Sequence, residues 1–370
     1  MKLTIERATL LKALAHVQSV VERRNTIPIL ANVLLDGQDG ALTLTATDMD
    51  LAITETVTAE IGQAGATTAP AHTLYDIVRK LPDGAQVEIE TDASADQLLI
   101  RAGRSKFNLA TLPVEDFPTM SGGDLPNTFS LEAEELRTLV DRTRFAVSTE
   151  ETRYYLNGIY LHPAERDGVD VMRAVATDGH RLASAEVPLP DGATGMPGVI
   201  VPRKTVTEIR KLIDETGNEI DIALSDTKIR FAFDDAVMTS KLIDGTFPEY
   251  ERVIPSNNDK ELEVDRKAFA AAVDRVSAIS NEKSRAIKME LKNDVLILSA
   301  SSPDSGSAIE EVEVNYRGEG LEIGFNSRYL LDITQQIEGD NARLSLADAA
   351  SPTIVREVDD ESALYVLMPM

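Results

Sequence analysis

The sequence predicts an α+β protein made of three similar domains, each with two helices and antiparallel sheet. Three observations lead to this prediction. The chain has 370 residues, which exceeds the roughly 250 to 300 residues at which single cores usually stop growing. Short motifs recur at one constant offset, and helical patterns alternate with strand patterns in every third of the chain. The repeat decides the number of domains, because length alone allows two or three.

The clearest repeat relates the first third of the chain to the second. Ala46-Thr47-Asp48 recurs as Ala176-Thr177-Asp178, and Phe117-Pro118 recurs as Phe247-Pro248, both at an offset of 130 residues. Longer echoes surround these pairs, because TATDMDLAI at 45–53 resembles VATDGHRLA at 175–183. The shared order and offset predict two copies of one unit.

The third copy is visible mainly in the helical pattern. In the segments 3–14, 129–140 and 262–273, a short extended start leads into apolar residues at helical spacing. A second helix candidate follows in each third, at 72–80, 203–214 and 327–337. Each unit is therefore expected to contain two helices.

Strands are predicted between these helices. Apolar and polar residues alternate at 42–46, 219–222 and 295–298, as in strands with one face on a core. Asp-Gly pairs beginning at 83, 167, 178, 191 and 244 indicate turns, several of them hairpin turns. We expect domains at 1–125, 126–253 and 254–370, with the first boundary in a turn-rich stretch.

Composition excludes several classes of protein. The chain has no cysteine, which removes disulfide frameworks, thiolate nucleophiles and zinc-thiolate sites. No apolar run approaches the ~20 residues that span a bilayer, and the N-terminus lacks a secretory signal pattern, so a cytoplasmic protein is expected. No phosphate-binding loop or nucleophile motif occurs. We therefore predict no cofactor, no metal site and no catalytic residue.

The charge is distributed unevenly along the sequence. The formal net charge is -25, which on average argues against nucleic-acid binding. The six helix windows (6–20, 72–80, 132–148, 203–214, 265–280 and 327–337), however, hold 15 Lys and Arg against 11 Asp and Glu. If these helices face one direction, they form a basic lining on an acidic body. Such a lining would bind the DNA backbone without reading bases.

Several motifs resemble those of the bacterial DNA sliding clamp, the beta subunit of the replicative DNA polymerase III holoenzyme. They are RYYLNG at 153–158, VATDGHRLA at 175–183, VPRK at 201–204, SNEK at 280–283 and YVLMPM at 365–370. GRSKFNLATLP at 103–113 and TIPIL at 26–30 extend the resemblance into the first unit. The resemblance covers essentially the whole chain.

The resemblance implies the DNA clamp fold: a head-to-tail homodimer that forms a six-domain ring around duplex DNA. Helices would line the hole and sheets would face outward. At the dimer seam, Phe107 and Leu109 of one copy would meet Ala278 and Ile279 of the other. The protein would tether partners to DNA and catalyse nothing itself.

Site residues follow from the same resemblance. The DNA-facing candidates are Arg24, Tyr154 and Tyr155, to which the basic helix start adds Arg203 and Lys204. His72 and Glu150 depart from the family at positions where more DNA-friendly side chains can stand. The resemblance implies a pocket for partner peptides lined by Leu156, Thr177, Gly179, His180, Arg181, Leu182, Pro248, Val253, Val366, Leu367, Met368, Pro369 and Met370. The implied partners are the clamp loader, replicative and translesion DNA polymerases and repair proteins, with no membrane partner.

Two alternative functions remain open at this stage. A metal-dependent nucleic-acid hydrolase could use Asp48, Asp178 and His180, since Asp and His can act as general base and orienting group. An acidic scaffold that binds peptides but never DNA would suit the net charge of -25. Metal-dependent turnover would favour the first alternative, and peptide binding without DNA retention the second.

Overall fold

The computed structural model describes residues 1–92, 96–120, 122–280 and 285–370. These residues form two compact units. The first unit comprises Met1–Glu134, Asp191–Ala193 and Thr207–Leu242, and the second comprises Glu135–Pro190, Thr194–Val206 and Ile243–Met370. The SNEK motif falls partly outside the described residues, at 281–283.

The first third of the chain contains two helices, each entered directly from a strand. Its elements are β1 (Lys2–Glu6), α1 (Arg7–Gln18), β2 (Asn32–Gln38), β3 (Ala41–Thr47), β4 (Leu51–Thr58), β5 (Glu60–Gln63), β6 (Gly65–Pro70), α2 (Ala71–Lys80), β7 (Gln86–Asp92), β8 (Gln97–Ala102) and β9 (Ser105–Ala110). The side chain of Glu6 caps α1 by accepting a hydrogen bond from the amide of Thr9.

The second third has a similar order, with four strands instead of five between its two helices. Its elements are β10 (Asn127–Glu132), α3 (Ala133–Asp141), β11 (Gly158–Arg166), β12 (Val169–Thr177), β13 (Arg181–Pro188), β14 (Val199–Pro202), α4 (Arg203–Ile213), β15 (Glu219–Leu224), β16 (Lys228–Ala232) and β17 (Ala236–Lys241). Short 3-10 helices at Arg144–Ala146, Glu151–Leu156 and Tyr250–Val253 occupy the connections.

The last third again has two strand-to-helix junctions. Its elements are β18 (Lys260–Asp265), α5 (Arg266–Ser277), β19 (Ala286–Lys292), β20 (Val295–Ser302), β21 (Gly306–Glu313), β22 (Leu321–Asn326), α6 (Ser327–Thr334), β23 (Asn341–Leu346), β24 (Thr353–Glu357) and β25 (Ala363–Leu367). Asp265 caps α5 in the way that Glu6 caps α1, through the amide of Ala268.

Two antiparallel sheets form the first unit. One has the strand order β5-β1-β7-β8-β9, and the other has the order β10-β15-β16-β17-β4-β3-β2-β6. In the second sheet, β17 pairs with β4, so strands from two thirds of the sequence share one sheet. Helix α1 packs on this unit through Leu10, Leu14 and Val17, which are fully buried.

The second unit is built in the same way. Its sheets have the orders β14-β11-β12-β13-β25-β24-β23-β18 and β21-β20-β19-β22. Here β13 pairs with β25, which joins the second and last thirds of the chain. Phe269 of α5 and Phe325 of β22 lie in its core with almost no exposed surface.

The predicted α+β architecture with two helices in each repeat is confirmed. The third predicted helix is shorter than its window, because α3 ends at Asp141 and the backbone continues into a 3-10 turn at Arg144–Ala146. Of the five Asp-Gly pairs from which turns were predicted, two stand in connections between paired strands, Asp167-Gly168 between β11 and β12 and Asp178-Gly179 between β12 and β13. Within the described part of the chain, no helix is long and apolar enough to cross a membrane.

Candidate functional site

A cavity of about 240 Å³ opens on the second unit and has mostly apolar walls. Four stretches of chain form it: the 3-10 segment Glu151–Leu156, the turn between β12 and β13, the segment around Tyr250, and the end of β25. We call it the apolar cavity. It is lined by Arg153, Tyr155, Leu156, Thr177, Gly179, Arg181, Leu182, Pro248, Glu249, Tyr250, Val253, Val366 and Met368.

Nine of the residues expected in a peptide pocket lie around this cavity. They are Leu156, Thr177, Gly179, Arg181, Leu182, Pro248, Val253, Val366 and Met368. Tyr155, which the resemblance assigned to DNA, also lines it. Leu156, Leu182 and Val366 belong to one buried apolar cluster with Phe247 and Tyr250, so the floor of the cavity continues into the core.

The turn between β12 and β13 has a geometry that the sequence repeat already contains. Thr177 Oγ1 donates to the carbonyl of Arg181 at 2.7 Å, and Asp178 Oδ1 accepts from the amides of His180 and Arg181 at 2.9 and 3.0 Å. In the first unit, Thr47 and Asp48 make the same bonds around Leu51. The recurring Thr-Asp pair is therefore a turn-forming element. Its role in the turn explains why the pair occurs in both repeats, and no catalytic role is needed.

In the corresponding turn of the first unit Met49 has a φ of +78°, so a residue other than glycine can adopt this conformation, although glycine adopts it most easily. Here the position is occupied by Gly179. Its φ is +88°, in the left-handed region, and a Cβ built there would lie 2.5 Å from Nη1 of Arg153. Arg153 can therefore lie over the turn and form part of the cavity wall. Glu150 holds it there through an ion pair of 2.8 Å, so Glu150 acts on the position of Arg153.

Arg181 lines the apolar cavity and is largely buried. Its guanidinium pairs with Asp332 at 2.5 Å and Asp178 at 3.1 Å, and it donates to the carbonyl of Phe145 at 2.7 Å. The rings of Phe145 and Tyr329 lie 5.1 and 4.4 Å from the guanidinium carbon. A cation with this many partners fixes the turn rigidly.

Four of the expected pocket residues lie elsewhere. Leu367 is fully buried and points to the face of β25 opposite to Val366, so its side chain belongs to the core. Pro369 and Met370 follow beyond the cavity, where the amide of Met370 donates to Gly324 at 2.9 Å. His180 lines a different, larger cavity of about 680 Å³ on the same unit.

This larger cavity is rich in arginine, and we call it the arginine cavity. Its charged lining consists of Arg144, Arg181, Arg203, Arg285, Arg328, Glu150 and Asp178. Positive groups outnumber carboxylates in its wall although the whole chain carries a net charge of -25. Among the DNA-facing candidates, Arg203 lies here, at the start of α4.

The remaining DNA-facing candidates have varied surroundings. Tyr154 is 53% exposed, whereas Tyr155 is half-buried against the apolar cluster. Lys204 is half-buried on α4, and Arg24 is exposed in the loop after α1 of the first unit. His72 contacts the end of α1, with Nδ1 at 2.8 Å from Gln18 Oε1 and Nε2 at 2.9 Å from the carbonyl of Val21.

Sequence reasoning missed Arg153, Glu249 and Tyr250 of the apolar cavity. Tyr250 lies two residues after Pro248, and its hydroxyl is 3.0 Å from His162 Nε2 and accepts from Arg173 at 2.9 Å. Burial raises the pKa of Tyr250, and burial likewise lowers the pKa of His162. The nearby Phe247-Pro248 repeat was the signal that could have identified this segment.

The residues expected at a dimer seam lie on one edge strand and after a helix that packs on another edge strand. Phe107 and Leu109 are half-buried on β9, the edge strand of the first unit's five-stranded sheet. Ala278 and Ile279 follow α5 in the second unit, and α5 packs on the edge strand β21. On β21, the side chain of Ile309 is 73% exposed.

The described residues hold no group of three or more His, Cys, Asp or Glu that could bind a metal ion. Asp48 and Asp178 use their carboxylates for turn hydrogen bonds, and His180 is exposed. The set Asp48, Asp178 and His180 therefore offers no arrangement that indicates general-base chemistry.

Comparisons with known proteins agree over the whole chain. The N-terminal, central and C-terminal domain models of the DNA polymerase III beta subunit match residues 1–121, 130–249 and 251–370. A beta sliding clamp of Caulobacter vibrioides is 55% identical over 370 residues, covering 100% of both chains. The beta sliding clamp of Escherichia coli is 38% identical over 371 residues, again with full coverage of both.

Solved structures give the same result. The sliding clamp from Bartonella birtlesii bound to griselimycin has a TM-score of 0.97 and 51% identity, covering 100% of this chain and 99% of that one. DNA polymerase III beta from Caulobacter crescentus has a TM-score of 0.95 and 55% identity, covering 100% of both chains.

Proposed function

The chain belongs to the family of the DNA polymerase III beta subunit, the bacterial sliding clamps, and from this membership we propose how its own residues hold partners and DNA. It is a processivity clamp of DNA polymerase III and a non-catalytic subunit, as its relatives are. We propose that the apolar cavity binds a short peptide of each partner. The partners would be the clamp loader, replicative and translesion polymerases and repair proteins, all in the cytoplasm.

One observation carries the pocket proposal: an open, apolar cavity lies on a sheet face whose other apolar side chains are mostly buried. Met368 lies in its wall and is 39% exposed, and Val253 beside it is 47% exposed. Exposed apolar side chains around a concave site favour a binding surface. Methionine suits a site for several partners, because its flexible side chain adapts to different shapes.

For DNA, we propose sequence-independent contact with phosphates by Arg24, Arg203 and Lys204, with Tyr154 at the surface. The support is chemical, since cations on helix starts and loops can neutralise backbone charge without reading base edges. Contact of this kind has no preferred register along the duplex. It would therefore permit sliding, while the acidic remainder of the chain repels DNA elsewhere.

We further propose a head-to-tail homodimer in which β9 of one copy meets β21 of the other. Both are edge strands of their sheets, and edge strands present unpaired backbone groups to a partner. Their charges are opposite: Arg104 and Lys106 are exposed on the β9 hairpin, whereas Glu311 and Glu313 are exposed on β21. Phe107, Leu109, Ala278, Ile279 and Ile309 would supply the apolar centre.

The domain boundaries that accompany this proposal are 1–125, 126–253 and 254–370. Each proposed domain begins shortly before a strand that runs directly into a helix, at β1, β10 and β18. Two chains would thus supply six domains to a closed ring, because a head-to-tail interface repeats until the rotation closes.

The function is tested by polymerase stimulation on primed single-stranded circular DNA with a cognate clamp loader and ATP. We expect products many times longer for each polymerase binding event when the protein is present. The matched control omits the loader, which should remove the effect because a closed ring cannot enter circular DNA. Failure to lengthen products with any cognate polymerase would contradict the proposal and favour the acidic peptide-binding scaffold.

A further inference from the structure

A third cavity lies on the same sheet face as the apolar cavity but is lined by charged and hydroxyl groups. Its volume is about 330 Å³, and we call it the polar cavity. Strand β13 supplies both cavities: Leu182 lines the apolar one, whereas Ser184 and Glu186 line the polar one. Alternate residues of a strand point to the same face, so the two cavities follow each other along β13.

Two of the three arginines in the polar cavity have counterions. Arg173 Nε donates to Glu186 Oε1 at 2.6 Å, and Arg166 lies 3.3 Å from the other oxygen of Glu186. Arg166 also donates to the carbonyl of Glu361 at 2.9 Å. The carboxylate of Glu186 is therefore neutralised by two guanidinium groups.

Arg356 is the third arginine, and it lacks a counterion among the described residues. It is half-buried on β24, its Nε is fully shielded from solvent without a hydrogen-bond acceptor, and no carboxylate oxygen lies within 4.0 Å of its guanidinium. Leaving a charged donor buried and unpaired is costly. The polar cavity therefore contains one guanidinium without a paired carboxylate, although its lining holds as many carboxylates (Asp167, Glu186 and Glu361) as arginines.

We propose that the polar cavity binds the carboxylate of an acidic side chain on the same peptide that fills the apolar cavity. This inference rests on the proposed peptide pocket. A guanidinium matches the planar geometry of a carboxylate. A doubly charged phosphate fits less well, because Glu186, Glu361 and Asp167 would repel a dianion more strongly than a single negative charge.

Tyr250 connects the two cavities through a hydrogen bond, although it lines only the apolar one. Its ring lines the apolar cavity, and its hydroxyl accepts a hydrogen bond from Arg173 in the polar cavity at 2.9 Å. From Leu182 to Glu186 the strand advances four residues, or roughly 13 Å at about 3.3 Å per residue. An extended peptide covers that distance in about four residues. The acidic residue should therefore stand about four positions from the apolar anchor.

The test uses labelled peptides with two large apolar side chains and one glutamate, titrated into the intact protein by fluorescence anisotropy. The glutamate is placed about four positions before or after the apolar pair, and each peptide has a twin with glutamine instead. We expect one orientation of the glutamate peptide to bind about fivefold tighter than its glutamine twin at low salt. The preference should disappear in Arg356→Gln while the affinity of the glutamine twin stays unchanged.

Arg317→Gln is the matched control, because it removes one exposed arginine of the same unit that lies outside the polar cavity. It should keep the preference for glutamate. Equal affinities of glutamate and glutamine peptides in both orientations would overturn the proposal, as would a preference that survives Arg356→Gln.

Failure of the peptide pocket has a different signature, since then no peptide binds the wild-type protein in either form. In that case the side-chain N–H resonance of Arg356, identified by its loss in Arg356→Gln, is followed by NMR during addition of glutarate. A resonance that moves supports the carboxylate site in the polar cavity, and one that stays in place overturns it.

Discussion

His16 illustrates how single residues join distant parts of the first unit. Its Nδ1 lies 2.5 Å from Glu55, whose side chain is only 3% exposed, and its Nε2 lies 2.7 Å from Glu215. Burial acts to lower the pKa of His16, but the hydrogen bonds to these two carboxylates outweigh it and raise the pKa above its usual value. Two acceptors also require both ring nitrogens to donate, so the imidazolium form is favoured.

The pH dependence of stability follows from these directions. A raised folded-state pKa means that the contribution of His16 is complete below the unfolded value of about 6.5 and is lost as pH rises through the folded value. Burial opposes ionisation of Glu215, but His16 and Lys12 lower its pKa. Its contribution is therefore present above about pH 4.3 and is lost as pH falls through the lowered folded value.

We predict that His16→Gln lowers stability by about 1 to 3 kcal/mol at pH 6, because glutamine cannot supply a charge between two carboxylates. The loss should shrink towards pH 9, because the stabilisation from the imidazolium is lost as pH rises through the raised folded-state pKa of His16. Thermal midpoints of both proteins at the two pH values measure the effect. His180→Gln replaces an exposed histidine and should show little change at either pH. An equal loss from His16→Gln at pH 6 and pH 9 would argue against a charged His16.

Met368 is the residue of the C-terminal segment that lines the proposed peptide pocket. We predict that Met368→Ala weakens binding of a partner peptide by about 1 kcal/mol, or roughly fivefold, through lost apolar contact. Deletion of Met368 to Met370 should weaken it further with the fold intact, because the lost side chains are surface ones. Peptide titration with thermal unfolding alongside gives both quantities. Met49→Ala removes a methionine that is similarly exposed, in the first unit, and should leave affinity unchanged. Undiminished affinity after the deletion would refute the pocket assignment.

At the scale of elements, the sequence predicted most of what depends on local pattern. The two helices in each repeat follow from apolar spacing near Leu10, Leu136 and Phe269, and the hairpin at Asp167-Gly168 follows from turn chemistry. The pairing of β17 with β4 and of β13 with β25 was not predicted. Strand partners far apart in sequence are selected by packing, and neither strand carries that information alone.

In the candidate site, too, some residues could be predicted from local motifs and others depend on contacts between distant parts of the chain. Motif resemblance named Leu156, Leu182 and Val366, and these residues meet at one cavity. The motif resemblance also named Leu367. Side chains alternate along β25, so Leu367 points into the core. Tyr250 was missed because its role depends on contacts with His162 and Arg173, which are far from it in sequence.

The proposed contact between the edge strands β9 and β21 leads to a prediction about the homodimer. We predict that Ile309→Asp on β21 raises the dimer dissociation constant by roughly tenfold or more, because it places a charge at the proposed apolar centre of the interface. Sedimentation velocity over a concentration series measures the shift. Val169→Asp changes another strongly exposed β-branched residue, at the start of β12, and should leave the dimer intact. A dimer equally stable in both variants would contradict pairing of β9 with β21.

For the whole molecule, the difficulty is that a chain with net charge -25 must remain on a polyanion. Ordinary surface binding through Arg24, Arg203 and Lys204 would be weak and would fall steeply with salt, since each phosphate contact releases counterions. A closed ring removes this difficulty, because linkage around DNA needs little attraction. Weak attraction is also what lets such a ring slide.

Linkage of a closed ring around DNA and ordinary binding to the DNA surface predict different behaviour once the DNA has free ends. We predict that protein loaded onto nicked circular DNA by a clamp loader and ATP stays bound after the salt concentration is raised, and leaves within the same time once the circle is cut. Blocking both ends of the linear DNA with bulky protein should restore retention, although the phosphate contacts are identical in the open and blocked molecules. Bound protein is counted after gel filtration of each DNA form. Equal retention on circular and open linear DNA would mean binding by surface charge alone, and the ring would then be the wrong description of how this acidic chain stays on DNA.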